Sequence, residues 1–371
     1  MKKKVPSFVP TLAHSPAGSH LGSNDQFMFR ALRLARQGMG RTSPNPMVGA
    51  VLVKNQIIIG EGFHEGAGLA HAEVNAIQNA KASGFSPTGA TLYVTLEPCT
   101  THGRTPPCTD LIISSKIKRV VFGSTDPNPA HAGKAIKTLK SNGIEVLTGV
   151  LNKECTSLNR PFNKWIRTGT PYVLAKVAIS RDGKIAGGQQ RWISSERSRI
   201  EAHYMRAQVD AIIVGVNTIT ADNPRLTVRY LKKHGVQPRS QPMRVVIDSN
   251  RKTPSDALVL TDRYSKTRTL LADHSQFPGR NNTVSLKKVL LHLGKLNMNY
   301  VMIEGGAKVL TSAFRDNLVD EIAFFFSPNV IGDHPQSVLA QPFFNLASKL
   351  EFQHSELRDF EGDVLVHAWR N

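Results

Sequence analysis

The chain has 371 residues, enough for two domains that each bury a hydrophobic core. A composition of 40% hydrophobic and 20% charged residues excludes a disordered or fibrous protein. The sequence has no apolar run of about eighteen residues, so it predicts no transmembrane span and no membrane partner. The net charge of +19 is spread over both halves and is compatible with either nucleic acid or small phosphorylated substrates.

Residues 1–22 and the three cysteines bear on the cellular setting. The segment 1–22 starts with three lysines and continues with proline, serine, glycine and histidine, which predicts a disordered extension outside the fold. An odd number of cysteines without a secretory signal predicts free thiols in a reducing, cytoplasmic compartment.

Strands and helices alternate along the first part of the chain. Helices are predicted over 25–37, 71–81, 108–115 and 133–141, and strands over 47–53, 57–63, 90–96 and 118–123. This alternation predicts an α/β sandwich. The pattern loosens over 152–169, and Gly169-Thr170-Pro171 predicts a boundary between domains of residues 23–168 and 169–371.

The second domain begins a new α/β series that does not repeat the first, so two different folds are expected. Strands are predicted over 172–179, 211–216, 244–247 and 300–303, and helices over 196–208 and from 307 onward. The sequence has no GxGxxG motif and therefore lacks the dinucleotide fingerprint of a Rossmann fold.

Two fragments of the first domain carry candidate metal ligands: His71-Ala72-Glu73, and Pro98-Cys99 with Cys108 after eight intervening residues. One imidazole and two thiolates predict a zinc shell whose fourth position stays open for water. Zinc lowers the pKa of that water and gives a hydroxide nucleophile, while Glu73 can carry protons without being a ligand. Residues two apart on a helix point in different directions, so His71 and Glu73 share a site only if the first helical turn faces it.

These fragments resemble zinc nucleobase deaminases, in which His-x-Glu precedes a Pro-Cys pair. The long insert between the cysteines, together with TLEPC at 95–99 and DPNP at 126–129, resembles the bifunctional deaminase/reductases of riboflavin biosynthesis. The resemblance covers nearly all of residues 25–150 and implies a cytidine-deaminase-like α/β/α sandwich. It also implies that Asn45 holds the base or ribose of the substrate. Lys134, near the N-terminus of a predicted helix, is placed to meet a phosphate. His102 is either a fourth ligand or a substrate-facing loop residue.

The second domain resembles the dihydrofolate-reductase-like reductases of the same pathway. The matching fragments include WISS at 192–195, RAQ at 206–208, ADNPxLTxR at 221–229 and EGG at 304–306. The resemblance implies an α/β domain whose NADPH contacts are Ala178, Trp192, Thr218, Asp222, Ser249, Gly305 and Gly306. The substrate contacts that it implies are Gln190, Arg206, Leu226, Arg229 and Glu304. Gln190 departs from the small hydroxyl residue of the family pattern.

The resemblance implies a phosphorylated pyrimidine as partner, one Zn²⁺ ion per chain, NADPH, and no nucleic acid. The first domain would deaminate 2,5-diamino-6-ribosylamino-4(3H)-pyrimidinone 5′-phosphate, with Glu73 moving protons. The second would reduce the ribosyl group of 5-amino-6-(5-phosphoribosylamino)uracil to ribityl.

Two alternatives stay open. A nucleic-acid-editing zinc deaminase with an accessory domain needs aromatic stacking surfaces, and only 7% of the residues are aromatic. A non-catalytic zinc module needs a fourth strong ligand and has no use for Glu73. The sequence also leaves open whether the chain forms a homo-oligomer.

Overall fold

A computed structural model of the chain describes residues 23–101, 106–129, 131–187, 192–229, 241–264, 268–334 and 337–370. The predicted extension, residues 1–22, lies outside the described residues. Contacts between residues divide the chain into two compact units, with the division between Thr168 and Gly169. No helix in these described ranges is both long enough and apolar enough to cross a bilayer.

The first unit is built on one five-stranded sheet. Its strands are β1 (Gly49–Lys54), β2 (Ile57–Phe63), β3 (Thr91–Leu96), β4 (Arg119–Ser124) and β5 (Glu145–Thr148). Its helices are α1 (Ser23–Ala35), α2 (Ala72–Ala82), α3 (Cys108–Ser114), α4 (Lys134–Ser141), α5 (Asn152–Leu158) and α6 (Arg160–Thr168). The strand order is β2-β1-β3-β4-β5, with β1 antiparallel to both neighbours and β3, β4 and β5 mutually parallel.

Helices cover both faces of this sheet because successive side chains of a strand point to opposite faces. In β4, Val120 and Phe122 join a hydrophobic cluster with residues of α2, α3 and α4. Val121, between them, joins a second cluster with residues of α1 and α5. The first unit is therefore the three-layer α/β/α sandwich that the sequence predicts.

The segment 152–168, where the sequence pattern loosens, forms the two helices α5 and α6. Cys155 is the buried residue of α5. A side chain on Gly123 of β4 would place its Cβ 2.1 Å from the Cys155 sulfur, so glycine at 123 lets α5 pack closely on the sheet. The contact of α5 with Gly123 is a tertiary one, so the hydrophobic pattern of residues 152–158 alone does not reveal this helix.

The second unit contains a longer, mixed sheet. Its strands are β6 (Tyr172–Ile179), β7 (Lys184–Ala186), β8 (Ala211–Gly215), β9 (Met243–Ile247), β10 (Thr269–Ala272), β11 (Tyr300–Glu304), β12 (Glu321–Phe326), β13 (Val338–Leu339), β14 (His354–Phe360) and β15 (Asp363–Trp369). Its helices are α7 (Glu196–Gln208), α8 (Val216–Asp222), α9 (Leu258–Thr261), α10 (Leu286–Lys295), α11 (Ala307–Arg315) and α12 (Gln341–Ala347). The main sheet has the order β10-β9-β8-β11-β6-β12-β15-β14, and β13 pairs with β7 separately.

Six neighbouring strands of the main sheet, from β10 to β12, are parallel. Helices α10, α11 and α12 pack on one face of this sheet, while α7 and α8 pack on the other. The carboxyl ends of parallel strands meet at one edge, which is where ligands bind in open α/β sheets.

Candidate active sites

One nitrogen donor and two sulfur donors of the first unit lie close together where α2 and α3 begin. His71 is the extended residue immediately before α2, Cys108 is the first residue of α3, and Cys99 lies in the loop after β3. The His71 Nδ1 atom lies 3.2 Å from the Cys108 sulfur and 3.6 Å from the Cys99 sulfur. All three donor atoms lie within 4.8 Å of one another. One metal ion could therefore touch all three.

The chemistry of this donor set fits zinc. Zinc binds imidazole nitrogen and thiolate sulfur, and catalytic sites use three protein ligands while structural sites use four. Among the described residues, one group of His, Cys, Asp or Glu side chains lies close enough together to share an ion. Its members are His71, Cys99 and Cys108. His102, the candidate fourth ligand, lies outside the described residues.

The two thiols differ strongly in acidity. A hydrogen bond from Cys108 lowers the pKa of the Cys99 thiol to about 4, and a further bond to His71 acts in the same direction. The hydrogen bond between the two cysteine side chains, together with burial, raises the pKa of the Cys108 thiol above its ordinary value. A bound cation would favour the thiolate form of both, so metal binding is expected to release a proton.

Glu73 lies beside this cluster in the first turn of α2, with 4% of its surface exposed. Burial, and to a smaller degree the charge of Cys99, raises the pKa of the Glu73 carboxyl to about 7. Cys108 is hydrogen-bonded to the same carboxyl. A carboxyl that titrates near neutral pH can both accept and return a proton, as a general acid–base requires.

Asn45 is connected to the cluster through His64, a residue that the sequence analysis did not single out. The Asn45 Nδ2 atom lies 3.1 Å from His64 Nε2, and His64 Nδ1 lies 3.0 Å from the Ala70 carbonyl oxygen. A neutral ring satisfies both contacts, because Nδ1 can donate to the carbonyl while Nε2 accepts from the amide. The His64 and His71 rings meet edge to face, with 5.5 Å between centroids. The only sequence signal was a histidine seven positions before His71.

Lys134 is the first residue of α4, and its side chain is exposed. The backbone N–H groups on either side of it, those of Gly133 and Ala135, each donate to the carboxylate of Glu97 at 3.0 Å. The N-terminus of α4 is therefore already occupied by an anion of the protein. These backbone N–H groups are therefore not available to a substrate phosphate, and the exposed ammonium group of Lys134 is the remaining candidate contact.

The second unit has a cleft of about 2830 Å³ along the carboxyl ends of β6, β8, β9 and β11. The predicted cofactor contacts that line it are Ala178, Trp192, Thr218, Asp222, Ser249, Gly305 and Gly306. The predicted substrate contacts that line it are Arg206, Leu226, Arg229 and Glu304. Gln190 lies outside the described residues.

The two glycines at the end of β11 form a bare stretch of backbone in this cleft. Gly305 and Gly306 have φ values of 96° and 82°, which side chains rarely adopt. A Cβ on Gly306 would lie 3.4 Å from the Gly215 nitrogen and 3.5 Å from the Thr218 hydroxyl. Glycine at 306 therefore leaves room for a ligand to approach the backbone where α11 begins.

Arg206 and Glu304 form an ion pair in the cleft, with side-chain exposures of 14% and 8%. Two nitrogens of the guanidinium contact the carboxylate, and a third donates to the Thr227 carbonyl oxygen at 3.1 Å. Arg229, by contrast, is exposed and donates to the Thr227 hydroxyl at 3.2 Å. Of the two arginines predicted to grip the ribose phosphate, Arg229 is the more accessible, and Arg206 holds Glu304.

Lys176 is a second functional candidate that sequence analysis missed. It lies on β6, lines the cleft, and places its ammonium 5.6 Å from the centre of the Phe325 ring. Burial lowers the pKa of Lys176, while the charge of Glu304 partly opposes that effect. Burial raises the pKa of Glu304, but Arg206 and Lys176 outweigh it and leave that pKa below its ordinary value. The sequence signal was weak: one lysine in an otherwise apolar strand.

Three further predicted residues differ in what they offer to a ligand. Leu226 is 2% exposed and belongs to the hydrophobic core, so it offers little surface to a ligand. Trp192 is 49% exposed, with the Arg199 guanidinium 5.0 Å from its ring centre. The Ser249 hydroxyl accepts a hydrogen bond from the Val284 backbone.

Two protein families match the sequence in the order of the two units. The family described as "Cytidine and deoxycytidylate deaminase zinc-binding region" matches residues 22–124. The family described as "RibD C-terminal domain" matches residues 171–366. The first confirms the predicted cytidine-deaminase-like fold of the first unit.

Similar full-length proteins match across both units. The riboflavin biosynthesis protein RibD of Actinobacillus pleuropneumoniae is 42% identical and is aligned over 82% of this chain and 84% of its own length. The RibD of Escherichia coli (strain K12) is 36% identical over 93% of this chain and 98% of its own.

Solved structures of such proteins share the fold. The RibD of Acinetobacter baumannii superposes with a TM-score of 0.81 at 34% identity, covering 94% of this chain and 98% of that one. The deaminase/reductase of Thermotoga maritima gives 0.82 at 35% identity, with the same coverage. The chain thus belongs to the RibD family of riboflavin biosynthesis proteins, bifunctional enzymes that join a deaminase domain to a reductase domain.

Proposed function

We propose that the first unit deaminates 2,5-diamino-6-ribosylamino-4(3H)-pyrimidinone 5′-phosphate at C2 of the pyrimidine. The observation that carries this proposal is the convergence of His71, Cys99 and Cys108 on one point beside the buried carboxyl of Glu73. These three side chains would hold one Zn²⁺ ion per chain. Zinc supplies an activated water for attack on the ring carbon.

Glu73 performs the proton transfers of this step. Its carboxyl takes one proton from the water and gives it to the ring nitrogen. It then takes the proton that remains on the oxygen added to C2 and passes it to the amino group, which leaves as ammonia. The pKa of about 7 suits both directions of transfer near neutral pH. Asn45, oriented by its contact with His64, holds the base or ribose, and the exposed Lys134 meets the phosphate.

The second unit then reduces the ribosyl group of 5-amino-6-(5-phosphoribosylamino)uracil to ribityl, acting on the open imine form of the sugar. NADPH supplies the hydride, and we infer that its phosphates lie against the backbone of Gly305 and Gly306 and beside Thr218. Ala178, Trp192, Asp222 and Ser249 complete the cofactor contacts.

The cleft also supports roles for its charged residues. Arg229 binds the substrate phosphate through its exposed guanidinium, which matches phosphate geometry. Lys176 holds the proton that the substrate nitrogen needs when its carbon accepts hydride, and Glu304 orients both the lysine and the sugar. Arg206 keeps Glu304 ionised and in place.

Two assays on the full zinc-loaded chain test this proposal. Ammonia release is measured with the diaminopyrimidine phosphate, and NADPH oxidation with the deaminated ribosyl compound, each substrate supplied separately. We expect both reactions and one zinc ion per chain. Absence of ammonia release from a chain with full zinc content would exclude the proposed deamination, and activity on RNA alone would support the editing alternative.

A further inference from the structure

Glu97 has a buried carboxylate next to the deaminase site. The hydrogen bonds described for this carboxylate all come from residues 126–135. Glu97 lies two residues before Cys99 and is 4% exposed. Its Oε2 accepts hydrogen bonds from the backbone N–H groups of Asp126 at 3.2 Å and Gly133 at 3.0 Å. Its Oε1 accepts from the N–H of Ala135 at 3.0 Å. One side chain thus binds both ends of the segment 126–135.

The backbone of Glu97 is attached to the same part of the chain. Its N–H donates to the Ser124 carbonyl oxygen at 2.9 Å, at the end of β4. The parallel strands β3 and β4 therefore end side by side, with the ligand Cys99 following one and the segment 126–135 following the other. Glu97 joins these two strand ends.

The segment that Glu97 holds carries an acidic side chain at one end and a cation at the other. Burial raises the pKa of the Asp126 carboxyl, and the charges of Glu97 and Cys99 act in the same direction. Lys134 is exposed at the far end of the segment.

We propose that Glu97 is a positioning residue of the deaminase, which fixes the segment 126–135 relative to Cys99 and thereby sets the affinity for the phosphorylated pyrimidine. The inference rests on the deamination proposed above. The carboxylate is suited to this role because it accepts three N–H bonds at once, and backbone N–H groups at the start of α4 favour a negative charge. Glu97 is not one of the three side chains that could share an ion, and we expect it to act on substrate binding through the segment that it holds.

The decisive variant is Glu97→Gln, assayed in the full zinc-loaded chain. An amide keeps the size but presents N–H donors to a backbone N–H, so at least one charge-assisted hydrogen bond is lost. We expect the KM of ammonia release to rise about tenfold or more, kcat to fall less than about threefold, and zinc content to stay at one per chain. Glu97→Asp, which keeps the charge on a shorter stem, should recover part of the affinity.

Two controls separate positioning from general stability. Reduction by the same Glu97→Gln chain should be unchanged, because that reaction uses the other unit. Asp210→Asn is the matched control: Asp210 also accepts two backbone N–H bonds, from Asn299 and Tyr300, but lies in the second unit. It should leave the deaminase constants unchanged.

Hydrogen exchange gives a readout that does not depend on activity. The amides of residues 126–135 should exchange faster in Glu97→Gln than in the wild-type chain, and other parts of the unit should not change. An unchanged KM, with activity falling only in proportion to zinc content, would overturn the proposal, as would unchanged exchange in this segment. A wild-type chain without deaminase activity would overturn the proposed function instead, and the exchange data would still decide whether Glu97 holds the segment.

Discussion

The guanidinium of Arg206 lies against the carboxylate of Glu304 in the cleft of the second unit, with Arg206 Nε 2.9 Å from Glu304 Oε1. Both side chains are largely buried, so this pair differs from a surface salt bridge, which contributes little. Removing one member of a buried pair leaves the other charge without compensation. Position 206 should therefore tolerate change less well than position 229.

Arg206→Ala should abolish most NADPH oxidation, because it leaves Glu304 without its partner and frees the Thr227 carbonyl. We expect a loss of about 3 kcal/mol or more in the stability of the second unit. Arg229→Ala should instead raise the KM for the ribosyl substrate with little change in melting temperature. Arg197→Ala, at an exposed pair with Glu361, serves as the control. Equal damage from positions 206 and 229 would contradict the different roles assigned to them.

Glu73→Gln should bind zinc normally and lose ammonia release by about 10²- to 10⁴-fold, the usual contribution of a general acid–base. The amide fits the same volume but cannot carry the proton. Metal analysis and an ammonia assay on the same sample check both halves of the statement. Turnover close to that of the wild-type chain would remove Glu73 from its assigned role.

Gly306→Ala should weaken NADPH binding more than it weakens the fold. The new Cβ would have to accept a φ of 82° and would lie 3.4 Å from the Gly215 nitrogen, in the space proposed for the cofactor. We expect the KM for NADPH to rise at least about tenfold, with deamination unchanged. Gly332→Ala is a suitable control, since φ is 77° there and no atom lies within 4 Å of the added Cβ. A similar rise in KM for NADPH in both variants would refute the assignment.

His367 should make the stability of the second unit depend on pH. Burial lowers the pKa of His367, but hydrogen bonds and charge from Glu321 and Glu356 outweigh it and raise the pKa to about 9. A histidine whose pKa is higher in the folded state stabilises fully below its unfolded pKa, about 6.5, and loses that contribution as pH rises through the folded value.

The corresponding variant is His367→Gln, which keeps polarity but cannot become charged. Its melting temperature should lie below that of the wild-type chain at pH 6, by an amount equivalent to about 1–3 kcal/mol. The difference should shrink as the pH passes 9. Melting curves between pH 6 and pH 10 measure it. A difference that stays constant over this range would show that the charge of His367 does not stabilise the fold.

The sequence by itself determined the chemistry of the molecule and most of its local structure. The predicted bounds of β6 and α7 agree with the observed ones, and β6 is the nearly continuous apolar run that a buried strand leaves in a sequence. His71, Cys99 and Cys108, which the structure brings together, could be picked out from residue type and spacing, since imidazole and thiolate groups are usual zinc ligands. Seven strands were not predicted: β5, β7, β10, β12, β13, β14 and β15. Strand pairing joins residues far apart in the chain, and β14 alternates too weakly to reveal its partner β15.

Only the tertiary structure decided which polar side chains are placed to orient other residues. His64 and Lys176 lie in no motif, and Glu97 lies in TLEPC at 95–99 without the motif indicating its role; each is defined by contacts with distant residues. Likewise, two arginines that look alike in the sequence differ in the structure, because burial commits Arg206 to Glu304 while Arg229 stays exposed. Burial and hydrogen-bond partners set the charge and direction of a side chain, and both arise only when remote segments pack together.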